Sequence, residues 1–209
     1  FFCFLYIFFG NASTNHGKVV IRAEGVFHAQ NMNSLVLKGF KLIALSYKTQ
    51  RLNMEELRRG VVIFERINLH DSESMEINVQ ADNQNFDVCA AKFKFGVLTY
   101  VYVLIYRNGK LNVDDFNLAY QELVQKLEDM FPGAVIVIMG DFNFHHHMIS
   151  QYSEKDDKGA DVFLTTTFQS GYELLNDDGE PTYFHSQGCS CLDLVFSNRP
   201  SLFRTFLKG

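Results

Sequence analysis

AVIVIMGDFNFHH, residues 134–146, is the stretch whose reading decides the fold. Its apolar half, Ala134 to Met139, is too short for a helix of ordinary length and too continuous for a half-exposed strand, so it reads as a central β-strand covered on both faces. Just upstream, Phe116, Tyr120, Leu123, Leu127 and Met130 fall on one face of a 3.6-residue repeat. Asp114 and Asp115 stand at that helix's positive end, and Pro132-Gly133 stops it. A helix leading directly into a buried strand is the signature of an α/β layer structure.

Further strands are legible on both sides. Lys18 to Ala23 ends in Glu24, while Gly39 to Tyr47 and Gly60 to Phe64 are β-branched or aromatic runs opened by glycine. Asn53 to Arg59 between them reads as a polar loop or one helical turn. Phe86 to Phe95 leads into Val97 to Tyr106, the most strand-like segment of the chain. After a polar stretch from Ser150 to Asp161, a weaker helical pattern covers Val162 to Phe168, and two turns separate Thr182 to His185 from the strand Leu192 to Phe196. The alternation, with several direct strand-to-strand connections, predicts an α/β sandwich of mixed sheets flanked by helices.

The bulk properties narrow the class. A chain of 209 residues can bury about 70% of its unfolded surface in a single domain. Hydrophobic residues make up 47% and charged residues 21%, which excludes a disordered chain. The formal charge of −5 gives no sign of non-specific attraction to nucleic acid, so a DNA substrate requires a cation or a local basic patch. Cys3, Cys89, Cys189 and Cys191 do not form a disulfide framework, which points to a reducing compartment. Phe1 to Phe9 is apolar but shorter than the roughly 18 residues of a bilayer span, and no basic residue precedes it. Read as a secretory leader, it would make Asn11 a glycosylation acceptor; without a leading methionine, a fragment or a mis-set start is the other reading. Residues 1–17 are therefore set apart as an atypical apolar segment, and 18–209 as the domain.

The chemistry concentrates after the central strand. Asp141 cannot remain unpaired inside an apolar strand, because burying an isolated carboxylate costs several kcal/mol or forces it neutral. It is expected at the strand end, where Gly140 permits a sharp turn and Asn143 returns to the same side. A carboxylate that orients or deprotonates water beside an amide that donates to a phosphate oxygen is a hydrolytic pair. The same residues also read as a plain turn in which Asp141 and Asn143 cap backbone groups. Asp193 alternates with Leu192 and Leu194 and so points to the other face, toward either a site or solvent. Three adjacent histidines, His145 to His147, cannot all face one ion from an extended loop, which argues against zinc.

VIVIMGDFNFHH, preceded by VLIYRN and followed by SCLDLVFSN (Ser190 to Asn198), resembles the endonuclease/exonuclease/phosphatase family. The likeness is greatest to the apurinic-endonuclease-like domain of non-LTR retrotransposons, and GFKLIALSY, RRGVVIF and FDVCAAKF read like the same subgroup. It extends from about Arg22 to the C-terminus and implies a deoxyribonuclease-like fold cut short at both ends.

The resemblance implies magnesium, with manganese as a substitute, bound through Glu24. It implies Tyr106 reaching the scissile phosphate or supporting the nucleophile, Asp141 activating water, Asn143 holding a phosphate oxygen, and Asp193 orienting a histidine. His145 and His146 would line the rim, with a plain surface loop as the other reading. Arg107 and Lys110 would meet the DNA backbone, or simply be solvated. Ala23-Glu24-Gly25 departs from the family's usual Thr-Glu-Thr or Thr-Glu-Trp, and Glu24 also reads as an ordinary strand-end glutamate. No proline follows Tyr106-Arg107, and neither the N-terminal asparagine strand nor a Ser-Asp-His sequence is found. The implied activity is DNA nicking inside the cell, at nuclear DNA, with a reverse transcriptase downstream, no membrane role and no obligate protein partner. A phosphomonoesterase or sphingomyelinase-like hydrolase, or an inert remnant, are the rival readings.

Overall fold

The structure is a computed structural model describing residues 3–9, 18–28, 38–52, 55–67, 72–79, 86–109, 112–153, 155–176, 181–185 and 188–203. The chain divides into two compact units: Phe1–Gln80 with Asp87–Tyr106, and Ala81–Phe86 with Arg107–Gly209.

The first unit carries β1 (Cys3–Phe9), β2 (Lys18–His28), β3 (Phe40–Leu52) and β4 (Glu55–Arg66) as an antiparallel sheet ordered β1-β2-β4-β3. Val62 and Phe64 form its core, with Phe40 and Leu45 packed against them. The apolar opening run is thus a strand, in register with β2 from Cys3↔Glu24 to Phe9↔Lys18. Asn53 to Arg59 differs from expectation: β4 begins at Glu55, because pairing with β3 from Leu52↔Glu55 to Lys48↔Arg59 satisfies the backbone whatever the local polarity. The same unit contributes β5 (Ser72–Ile77), β6 (Phe86–Phe95) and β7 (Leu98–Arg107), whose boundaries run just past it at Phe86 and Arg107.

The second unit holds α1 (Val113–Met130), β8 (Val135–Asp141), α2 (Ala160–Gln169), β9 (Glu173–Leu174), the hairpin β10 (Tyr183–His185) with β11 (Gly188–Ser190), and β12 (Asp193–Ser197). Strands β5, β6 and β7 lie side by side in the first unit and β8, β12 and β9 in the second, so the α/β class of mixed sheet with flanking helices is the observed architecture.

Helix α1 starts where Asn112 caps it, its side chain accepting from the Asp114 N–H at 3.0 Å. Its predicted face is buried at Phe116, Tyr120, Leu123 and Leu127, but Met130 in the last turn is exposed. Val135 to Met139 is fully buried, as the apolar run demands.

An aromatic core anchors the residues just beyond β8. Phe142 and Phe144 are wholly buried and lie within 6.4 Å, centroid to centroid, of Phe116, while Phe163 packs on both at 4.9 and 5.2 Å. With two phenylalanines turned inward at alternate positions, Asn143 and His145 are only half-buried.

Candidate functional site

Strand β8 continues through Gly140 and Asp141, since β12 pairs Leu194↔Gly140 and Asp193↔Asp141. Gly140 is therefore a buried strand residue and not the turn anticipated for it. The turn comes at Asn143, which holds φ 49°, the left-handed region, as the sole described non-glycine residue there. Asparagine tolerates this conformation better than most residues. The Asp141 Oδ1 accepts the Asn143 N–H at 2.9 Å, so the backbone-capping reading of this pair is realised by one carboxylate oxygen.

Arg107 locks the turn from the other side. Its Nη1 donates to the carbonyls of Phe142 and Asn143 at 3.0 and 3.1 Å, and its own carbonyl accepts from Asn143 Nδ2 at 2.7 Å. The guanidinium lies 4.0 Å from the Phe144 ring centroid and 5.5 Å from that of Phe116. Only 2% of the residue is exposed, and the buried Nε has no hydrogen-bond partner among the described residues. Burial lowers its pKa, opposed by the charges of Asp157 and Asp141. Arg107 is thus a buried residue and not a solvated one. Lys110 lies outside the described residues.

Asp193 stands in register opposite Asp141 and is 7% exposed, which removes the solvent-facing reading. Its N–H donates to Thr182 Oγ1 at 3.0 Å, and its carbonyl accepts from Asn176 Nδ2 at 2.9 Å, so the start of β12 is fixed on both sides. Burial first, then the Asp193 charge, push the Cys191 thiol up to about 12.

The three histidines each meet a carboxylate. The carboxylate of Asp157 accepts from both the backbone N–H (2.9 Å) and Nδ1–H (3.0 Å) of His145, and the ring's Nε2 lies 3.2 Å from Ser190 Oγ. His146 is wholly buried: its Nδ1 accepts the Met148 N–H at 3.1 Å and its Nε2–H donates to Asp161 at 2.8 Å. His147 donates through Nδ1 to Asp156 at 2.7 Å. The chain turns here, so His146 and His147 stack at 4.4 Å and, with Asp156, bring ligand-capable atoms within 4.8 Å of one another. Zinc at His146 would have to break its bond to Met148 or Asp161. His145 does line a cavity, whereas His146 is spent internally.

That cavity, about 340 Å³, is lined by Arg107, Asn143, His145, Lys155, Asp157 and Lys158, with Gly109 and Val113 completing its wall. Burial raises the Asp157 carboxyl, but donation from the His145 backbone and ring and from Lys155 outweighs it and holds the pKa below the ordinary range. Lys155, Asp157, Lys158 and Ser190 escaped the sequence reading. For the first three the signal was the run Lys155-Asp156-Asp157-Lys158 shortly after the histidines, which reads as a solvated stretch until its partners are known.

Tyr106 is 5% exposed and ends the first unit. Glu24 lies within β2, which runs on to His28 because pairing with β4 continues to His28↔Leu57; its side chain is outside the described residues. The oxygen donors of Asp141 and Asp193, at one level of adjacent strands, fit a hard divalent cation better than a soft one.

A buried strand runs into Asp141-Phe142-Asn143, with a second carboxylate, Asp193, in register beside Asp141. A sequence-family profile described as endonuclease-reverse transcriptase matches residues 100–207, and the chain belongs to this branch of the endonuclease/exonuclease/phosphatase family. No curated protein matches the chain. Among solved structures it is similar to the endonuclease domain of TRAS1, a telomere-specific non-LTR retrotransposon, at 17% identity and TM-score 0.54 over 77% of this chain and 65% of that one. It is also similar to the human Nocturnin catalytic domain, at 15% identity and TM-score 0.51 over 77% and 61%. These likenesses show the fold, and the chain spans under two thirds of each structure.

Proposed function

We propose that this chain is the DNA-nicking endonuclease part of a non-LTR retrotransposon protein, hydrolysing one phosphodiester bond with magnesium. The observation that carries the reading is the juxtaposition of Asp141, Asn143 and Asp193 at the end of a buried strand pair in a member of this family. Asp141 accepts the Asn143 N–H through Oδ1, and its carboxylate would orient an attacking water or take its proton. Asn143 donates one amide hydrogen to Arg107 and has a second for a phosphate oxygen, a neutral donor that adds no repulsion. Held by Asp141 and Asp193, magnesium would neutralise phosphate charge. Manganese would substitute for it. On this reading the chain acts at nuclear DNA, upstream of a reverse transcriptase that extends the nick.

The test is relaxation of supercoiled plasmid in magnesium, and in EDTA, by the parent chain and by Asp141→Asn. The substitution keeps the Oδ1 acceptor for Asn143 but removes the charge, so the fold should survive while the rate falls about 100-fold or more. Equal rates for the two proteins would overturn the role of Asp141. Cleavage of small phosphate esters without plasmid relaxation would replace the substrate class, and no turnover of either would make the chain an inert remnant.

A further inference from the structure

We propose that the cavity framed by Arg107, Lys155 and Lys158 is a subsite for a phosphodiester group of a single nucleic-acid strand, next to the bond being cut. The identity of that strand rests on the endonuclease reading; the anion specificity rests on the cavity.

Arg107, Lys155 and Lys158 line this cavity of about 340 Å³, against one carboxylate, Asp157. That carboxylate is already satisfied by two donors of His145 and by Lys155 Nζ at 3.3 Å. A positive excess in a chain of net charge −5 marks a place selected for an anion. Arg107 supplies a second, independent indication. A guanidinium 2% exposed with an unpartnered buried Nε is a charge taken out of water and only partly compensated, and an anion in the adjoining cavity would complete the compensation.

The backbone segment that carries the two lysines is held in place. His145–Asp157 (3.0 Å), His146–Asp161 (2.8 Å) and His147–Asp156 (2.7 Å) fasten the segment carrying Lys155 and Lys158 to the chain leaving Asn143. The Asp157 N–H returns to the His145 carbonyl at 2.8 Å. Cations mounted on a pinned segment lose less freedom on binding than cations on a free loop. Asn143 lines the same cavity, so a strand whose scissile phosphate meets its amide would bring a neighbouring phosphate toward Lys155 and Lys158.

The experiment is fluorescence anisotropy of a fluorescein-labelled single-stranded oligodeoxynucleotide with the whole chain, in EDTA so that turnover does not intervene, repeated across salt concentrations. Inorganic phosphate serves as competitor. Lys155 is largely exposed and Lys158 exposed, so Lys155→Ala/Lys158→Ala should fold as the parent does, checked by circular dichroism. The expected result is binding weakened about tenfold or more, and a salt dependence shallower by about 0.7 per lysine on the logarithmic plot. No oligonucleotide binding by the parent, unchanged affinity and slope in the variant, or phosphate binding without oligonucleotide binding would each overturn the subsite. Plasmid relaxation combined with lysine-independent binding would remove the subsite and leave the hydrolase. Lysine-dependent binding without relaxation would do the reverse.

Discussion

Replacing Arg107 with methionine tests whether the turn that presents Asn143 is held by charge-assisted hydrogen bonds. Methionine keeps the length and an affinity for the Phe144 and Phe116 rings, so packing loss is small. Lost are two bonds from a buried cation to the carbonyls of Phe142 and Asn143, about 1.5–3 kcal/mol each, and a cation–π contact of about 0.5–2 kcal/mol. Gained is relief from burying a charge whose Nε is unpartnered, about 1–3 kcal/mol. The balance is a destabilisation of about 4 kcal/mol, roughly 1,000-fold in the folding equilibrium. Arg107→Lys keeps the charge but not the planar fork, and should recover only part of it. Urea unfolding at neutral pH measures both variants, with the slope checked against the parent so that a two-state comparison is valid. If Arg107→Met unfolds within about 0.5 kcal/mol of the parent, the turn is held by the aromatic core alone and the guanidinium bonds contribute nothing net.

Two further expectations concern Asp157 and Gly159. The carboxyl of Asp157 is held below its ordinary value, so its contribution is present above the unfolded-state pKa of about 3.9 and lost as pH falls through the folded-state value. Urea titrations should therefore show Asp157→Asn less stable than the parent at pH 6 and the gap closing below about pH 4; a gap constant with pH contradicts this. Gly159, at φ +87°, would place an added Cβ 2.2 Å from Val113 Cγ1. Gly159→Ala should cost more than the roughly 1–2 kcal/mol of a left-handed alanine, and adding Val113→Ala should recover the clash but not the backbone term, read by the same unfolding measurement.

What the sequence disclosed came from periodicity. The apolar run before Gly140 and the 3.6-residue repeat through Phe116 and Leu127 each specify an element by themselves, and both are where they were expected. Elements that depend on a distant partner were not legible. Glu55 to Arg59 is polar and becomes strand only because β3 lies beside it. Arg107 stands at a strand end and looks exposed; it is buried by carbonyls and rings that arrive from α1 and from beyond β8. Within the site, Asp141 and Asn143 were visible as chemistry next to an apolar run. The inward anchoring by Phe142 and Phe144 was written in the alternation Phe-Asn-Phe-His, but the pairing of histidines with particular aspartates depends on the path of the intervening loop.

That loop has a practical consequence. Because three histidine–aspartate pairs fasten its two ends, the residues between His147 and Asp156 form a closed circuit on a rigid base, with Tyr152 exposed near its tip. Lengthening a loop with fixed ends costs only about 0.6 kcal/mol per doubling. A peptide tag or a fluorophore-accepting sequence inserted beside Tyr152 would thus be carried as a pendant on an unchanged frame. Shortening the circuit would instead pull each aspartate away from its histidine. The length of this segment has a floor and no comparable ceiling.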